Sequence, residues 1–222
     1  MRSTPLYTRV VCLTFAILFA WIGVFANIGS AAAYNGAAAR QYADQWWNSV
    51  NTGAPHYYIN ATSYGEINDC TNYVSQALYA GGLTEIFTGN GADQDAWWWD
   101  SPDYADSWIR AMVPPSTPPS QGSGLVNHAY RYIDWRFKPQ LYWTGLKVGD
   151  FYSYDSVGPP TSGPATHSRI VTELRNEEGT LIPYANQHTP NRYHVRYDQH
   201  WAYGVATVWK IHVCSSNGNC NP

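Results

Sequence analysis

The feature that most constrains this chain is a change of hydrophobic period at Gly149. Before it, apolar residues recur at helical spacing; after it, short runs alternate or are rich in β-branched and aromatic residues. Residues 35–51 predict a helix with Asn35 as N-cap and Ala39, Tyr42, Ala43, Trp46, Trp47 and Val50 along one face. Residues 70–80 predict a second, amphipathic helix, with Cys70, Val74, Ala77 and Leu78 together and Gly81-Gly82 closing it. A short helical piece is expected at 108–112 and a third helix at 125–135. Strands are expected at 150–154, 168–174, 181–187, 195–197 and 204–213, with a hairpin turning across Asn176-Glu177-Glu178-Gly179. Helices first and an antiparallel sheet second is the α+β order. The Pro-rich stretch 113–124 reads as a surface loop, because neither side completes a core alone.

The first 33 residues read as an export signal. Arg2 and Arg9 form a basic start, residues 10–25 are almost wholly apolar, and Ala31-Ala32-Ala33 offers small residues for cleavage. An uncleaved anchor is the alternative; the apolar run is short for a span, which favours a secreted chain with no stable membrane attachment. Losing Arg2 and Arg9 takes the net charge from −3 to −5. That balance excludes nucleic-acid binding by bulk electrostatics. The remainder, 34–213, has the length of one domain with a proper core, followed by a tail at 214–222.

Export makes the cysteine count informative. Cys12 lies in the apolar run, leaving Cys70, Cys214 and Cys220. Cys214 and Cys220 bracket a turn-rich loop and can close a small disulfide ring, which leaves Cys70 free. A buried inert thiol is the bland reading of Cys70. Its place at a helix start argues for chemistry, since unpaired N–H groups and the helix dipole favour a thiolate there and can hold an oxyanion. His167, opening a strand, is the candidate base. If the hairpin turns near Glu177-Glu178, residues 186–188 lie across from it. Asn186 and His188 then share a sheet face as candidate orienters. Asn186 is preferred, because its amide oxygen always accepts. Catalysis would then track the thiolate–imidazolium population. Asp69 is expected to N-cap the helix or line the cleft, and Asn72 to organise the first turn. Together with Trp98 they are the candidate substrate contacts. Gln76 is expected to hold a neighbouring loop.

The run Asp69-Cys70-Thr71-Asn72-Tyr73-Val74-Ser75-Gln76, followed by Ala80-Gly81-Gly82, resembles the signature of the putative amidase domain family of secreted bacterial proteins. Other pieces agree in order: Tyr42-Ala43-Asp44-Gln45-Trp46-Trp47-Asn48, Val148-Gly149-Asp150, His167-Ser168 and Ala185-Asn186-Gln187-His188-Thr189. The similarity runs over residues 34–213. It implies kinship with the NlpC/P60 and CHAP peptidases, hence a papain-like fold and a Cys–His–polar triad. It also implies amide hydrolysis through a thioester, with cell-wall peptide as substrate and no cofactor. Tyr184, two before Asn186, stands where CHAP domains often carry an acid.

Two other classes compete. Eleven Trp and eighteen Tyr are many, and Trp97-Trp98-Trp99-Asp100 could be a sugar-stacking platform of a carbohydrate-binding module; the alternative is a buried aromatic wall. An acyltransferase on the same fold is the other. His188, His194 and His200 recur every six residues, which matches no zinc pattern. Asn60-Ala61-Thr62 is a formal glycosylation sequon, relevant only in a eukaryotic host.

Overall fold

A computed structural model describes residues 33–51, 69–100, 103–112, 122–133, 136–137, 145–154, 165–198 and 208–214. The expected export signal (all but Ala33), the sequon, Trp135, most of the 113–124 loop and Cys220 lie outside them.

Helix α1 spans Gly36–Trp46. Asn35 begins it in extended conformation and accepts from the Ala38 N–H at 3.1 Å, as a cap should. The helix stops short of the expected residue 51, with Trp47 still helical at its C-cap. Helix α2 spans Cys70–Ala80, the expected bounds. It is not amphipathic: every residue from Cys70 to Leu78 is buried. The reason is its central place, packed by α1, by the longest strand and by a short helix at Asp106–Ile109. Its polar residues survive burial because each has a partner. Ser75 Oγ donates to Trp108 O at 2.9 Å and accepts from Trp97 Nε1, and the Tyr42 hydroxyl donates to Gln76 Oε1. Gln76 thus ties α2 to α1.

The stretch without sequence period holds a small antiparallel pair, β1 (Trp99–Asp100) and β2 (Asp103–Tyr104), then α3 (Asp106–Ile109), two residues earlier than expected. Helix α4 spans Leu125–Tyr132 and β3 Arg136–Phe137. The second half supplies β4 (Phe151–Tyr154), β5 (His167–Glu177), β6 (Thr180–Gln187), β7 (Arg192–Arg196) and β8 (Val208–Ile211). These strands and β3 form one antiparallel sheet in the order β3-β8-β4-β5-β6-β7.

The sheet has two apolar faces. Phe151, Ile170 and Ile211 pack with the helices and with Trp97 and Trp108. Tyr152, Tyr154, Val171, Ala185 and Val208 form a second cluster on the other face. The pairing of β5 with β6 contains a bulge. Glu177 faces Thr180 and Glu173 faces Tyr184, but Val171 then faces Ala185 and Ile170 faces Asn186. Thr172 is the extra residue, and from there on it reverses which β5 and β6 side chains share a face.

Candidate active site

Helix α2 starts at Cys70, and its sulfur meets the beginning of β5. Cys70 Sγ lies 3.7 Å from Thr71 Oγ1 and 4.0 Å from Thr166 O. The Ser168 backbone also reaches the thiol as a hydrogen-bond partner. The sulfur therefore touches the residues on both sides of His167. Beneath it runs a chain of hydroxyls: Thr71 Oγ1 is 3.1 Å from Ser168 Oγ, which is 2.8 Å from Ser153 Oγ. Cys70 is free and buried.

Electrostatics at this site do not favour a resting ion pair. Burial pushes the Cys70 thiol up to about 11, against the pull of the Ser168 backbone and the Thr71 hydroxyl, while the Asp69 carboxylate pushes the same way as burial. Burial pushes His167 down to about 3, helped by the Arg169 guanidinium and opposed by the Gln187 side chain. Thiol and imidazole are both neutral at pH 7, so the expected thiolate–imidazolium population is not the ground state. Among the described residues no hydrogen bond joins Cys70 to His167, and His167 Nε2 is buried without a partner.

The expected orienters are engaged elsewhere. Asn186 Oδ1 accepts from Thr172 Oγ1 at 3.2 Å and from the His194 N–H at 2.7 Å. Its Nδ2 donates to Ala43 O and Asp44 Oδ1. His188 stacks on Tyr73, with Nδ1 at 2.6 Å from Asp69 Oδ2 and Nε2 at 2.7 Å from Trp46 O. Both residues face the helices, whereas His167 pairs across the sheet with Tyr154 on the other face. The Thr172 bulge causes this mismatch. Gln187, between the two expected residues, is the one on His167's face.

Asp69 does not cap α2 through its side chain. Its carboxylate instead accepts from Asn72 Nδ2 at 2.6 Å and meets His188. Asn72 Oδ1 accepts from Trp108 Nε1 at 2.9 Å, so this buried amide organises the turn rather than meeting substrate. Trp97, Trp98 and Trp99 are 0%, 5% and 6% exposed, a buried wall and not a stacking platform. A cavity of about 220 Å³ is lined by the Ile109, Arg110, Ala111 and Met112 stretch and by Thr71, Ala165 and Thr166; Cys70 is not in its wall, but Thr71 and Thr166, which its sulfur contacts, are. Among the described residues no group of three or more His, Cys, Asp or Glu is arranged to hold a metal ion. Sequence reasoning missed Gln187, Thr71 and Ser168; the hairpin signal was there, but the bulge carries no residue signature.

These elements define an α+β protein with a free thiol at a helix start, held against a histidine-bearing strand. The chain belongs to the family described as Putative amidase domain, which matches residues 33–211. Membership points to amide hydrolysis in general terms. The chain is also similar to the uncharacterized protein YhbB of Bacillus subtilis (strain 168), 26% identical over 181 residues. The match covers 82% of this chain and 48% of that protein, so the chain spans about half the length of the curated relative. No solved structure matches the chain.

Proposed function

We propose that this protein is an exported cysteine amide hydrolase of the papain-like, NlpC/P60 and CHAP kind, with Cys70 as nucleophile and His167 as base. The observation that carries the reading is the free Cys70 sulfur at the start of α2, seated against the backbone on either side of His167. The neutral ground state favours general-base catalysis over a preformed ion pair. In the reaction the imidazole reaches the sulfur around the N-terminal end of β5 and takes its proton as sulfur attacks the amide carbon. The resulting imidazolium protonates the leaving amine, and the acyl group stays on sulfur as a thioester. Water then attacks the thioester, releasing the acid and the thiol. Asp69 places no side-chain cap on the start of α2, and the backbone N–H of Cys70 is the donor assigned to the oxyanion.

The cavity of about 220 Å³, which Thr71 and Thr166 separate from the sulfur and Arg110 borders, is the place for the substrate's acyl residue. Peptides of the bacterial cell wall are the substrate class, in keeping with the basic, apolar and Ala-rich start of the chain. A Cys214–Cys220 ring belongs to the same export reading.

Turnover of purified peptidoglycan tests this, followed as new free amines or carboxyls. Cys70→Ala is expected to abolish release and His167→Ala to lower it by about 10²–10⁴-fold. An added amine acceptor separates transfer from hydrolysis. Undiminished turnover by Cys70→Ala would sink the reading.

A further inference from the structure

We propose that Gln187 is the positioning residue for His167: its Oε1 accepts from the imidazole Nε2–H, leaving Nδ1 as the nitrogen that takes the Cys70 proton. The proposal rests on the Cys70–His167 reading.

Sheet parity brings the two together. Ile170 faces Asn186 across β5 and β6, so those two share the helix side. His167 lies three residues before Ile170 and Gln187 one after Asn186. Both odd steps turn their side chains to the opposite face. Each is buried, His167 at 4% and Gln187 at 2% exposure. His167 Nε2 and Gln187 Oε1 are both buried polar atoms without another partner. One of these atoms can donate and the other can only accept. Burial without a hydrogen bond is costly for each, and pairing them removes both penalties.

The amide's orientation is fixed independently. Gln187 Nε2 donates to Pro190 O at 2.9 Å, which leaves Oε1 as the end turned from Pro190. Tyr154 meets the His167 ring edge-on at 5.3 Å and restricts its tilt. Gln187 also acts on His167 in the direction of an acceptor, favouring the imidazolium. An acceptor on one nitrogen selects the tautomer that makes the other basic.

The test is NMR of nitrogen-labelled imidazole in the full chain, with kinetics beside it. The wild type is expected to carry the proton on Nε2 of His167. Gln187→Leu is expected to redistribute it and to lower kcat by about 10²-fold with KM little changed, since only orientation is lost. Gln187→Glu keeps an acceptor and is expected to recover most of the rate, while raising the pH at which His167 titrates. Nε2 unprotonated in the wild type overturns the proposal, as does an unchanged tautomer and kcat in Gln187→Leu. The wild-type spectrum decides even if Gln187→Leu does not fold. The same spectrum on Cys70→Ala needs no turnover, so it still decides on Gln187 if the nucleophile assignment fails.

Discussion

At the scale of single residues, the site is set by desolvation. The enclosed position of Cys70, with a smaller push from the Asp69 carboxylate, outweighs the Ser168 and Thr71 donors that would favour a thiolate. Alkylation of Cys70 by iodoacetamide is therefore expected to be slow at pH 6, rising about tenfold per pH unit toward pH 11. Peptide mapping after timed quenching reads this, and fast labelling at pH 6 would contradict it. The same shifts make stability depend on pH. His167 falls from 6.5 to about 3 on folding, so between those values the unfolded chain binds the extra proton. Stability is full above pH 6.5 and declines as pH falls toward 3, at up to about 1.4 kcal/mol per unit from this group. Cys70 rises from 9.0 to about 11, so its contribution is full below pH 9 and declines as pH rises toward 11. Urea unfolding from pH 4 to 7 is expected to show a shallower slope for His167→Gln than for the wild type. Equal slopes would mean that His167 titrates normally in the fold.

At the scale of elements, the sequence was most legible where a local signal coincided with the final contact. Asn35 caps α1, Gly81 ends α2 with its N–H on Ala77 O, and the hairpin turns at Glu178 and Gly179. The α2 bounds came from those signals, and the α+β order from the change of period. What stayed hidden depends on pairing. Continued without the bulge, the register of Glu173 with Tyr184 would set Ile170 opposite Gln187, and Asn186 and His188 would then share His167's face. One inserted residue, Thr172, exchanges them for Gln187, and no residue type announces it. The partners of the polar residues of α2 were equally hidden: the sequence points to Asn72 organising the first turn and Gln76 holding a neighbouring loop, but nothing local names Trp108, Tyr42 or Ser168 as what Asn72, Gln76 and Thr71 meet. Asn186 is thus a latch between β5, β7 and α1. Asn186→Ala is expected to cost about 2–4 kcal/mol of stability, because several buried groups lose their partner. Activity per folded molecule should stay within about threefold of wild type under conditions where the variant is folded, because Asn186 makes no bond to His167. Active-site titration combined with denaturant unfolding separates the two effects; a large loss of kcat in folded protein would restore Asn186 as orienter.

At the scale of the whole molecule, distant parts of the chain close on one point beside the sheet. Asp150 is fully buried, and its carboxylate accepts from Lys147 N at 2.7 Å and Val213 N at 3.0 Å and meets His212 Nδ1 at 2.9 Å. It thereby joins the entry of β4 to the exit of β8. The neighbouring Gly149 has φ +91°, and a Cβ there would meet Gly36 Cα at 2.3 Å, so only glycine lets α1 come this close. The Tyr34 hydroxyl completes the junction by donating to Gly149 O at 2.7 Å. Tyr34 and Gly36 come from the start of the family match and His212 and Val213 lie just past its end, so Gly149 and Asp150 hold the two limits of the domain together from its middle. This junction lies at the entry of β4, whose far end at Tyr154 faces His167. Loosening it should therefore reach the site only through the fold. Asp150→Ala strands two backbone donors and the His212 ring, and is expected to destabilise by about 3–5 kcal/mol. Gly149→Ala is expected to destabilise comparably, by forcing α1 off the sheet. If the junction acts on the whole fold, each variant lowers the melting temperature and folded protein keeps the wild-type KM. A variant with unchanged melting temperature but altered KM would instead couple this end of the sheet to the site directly.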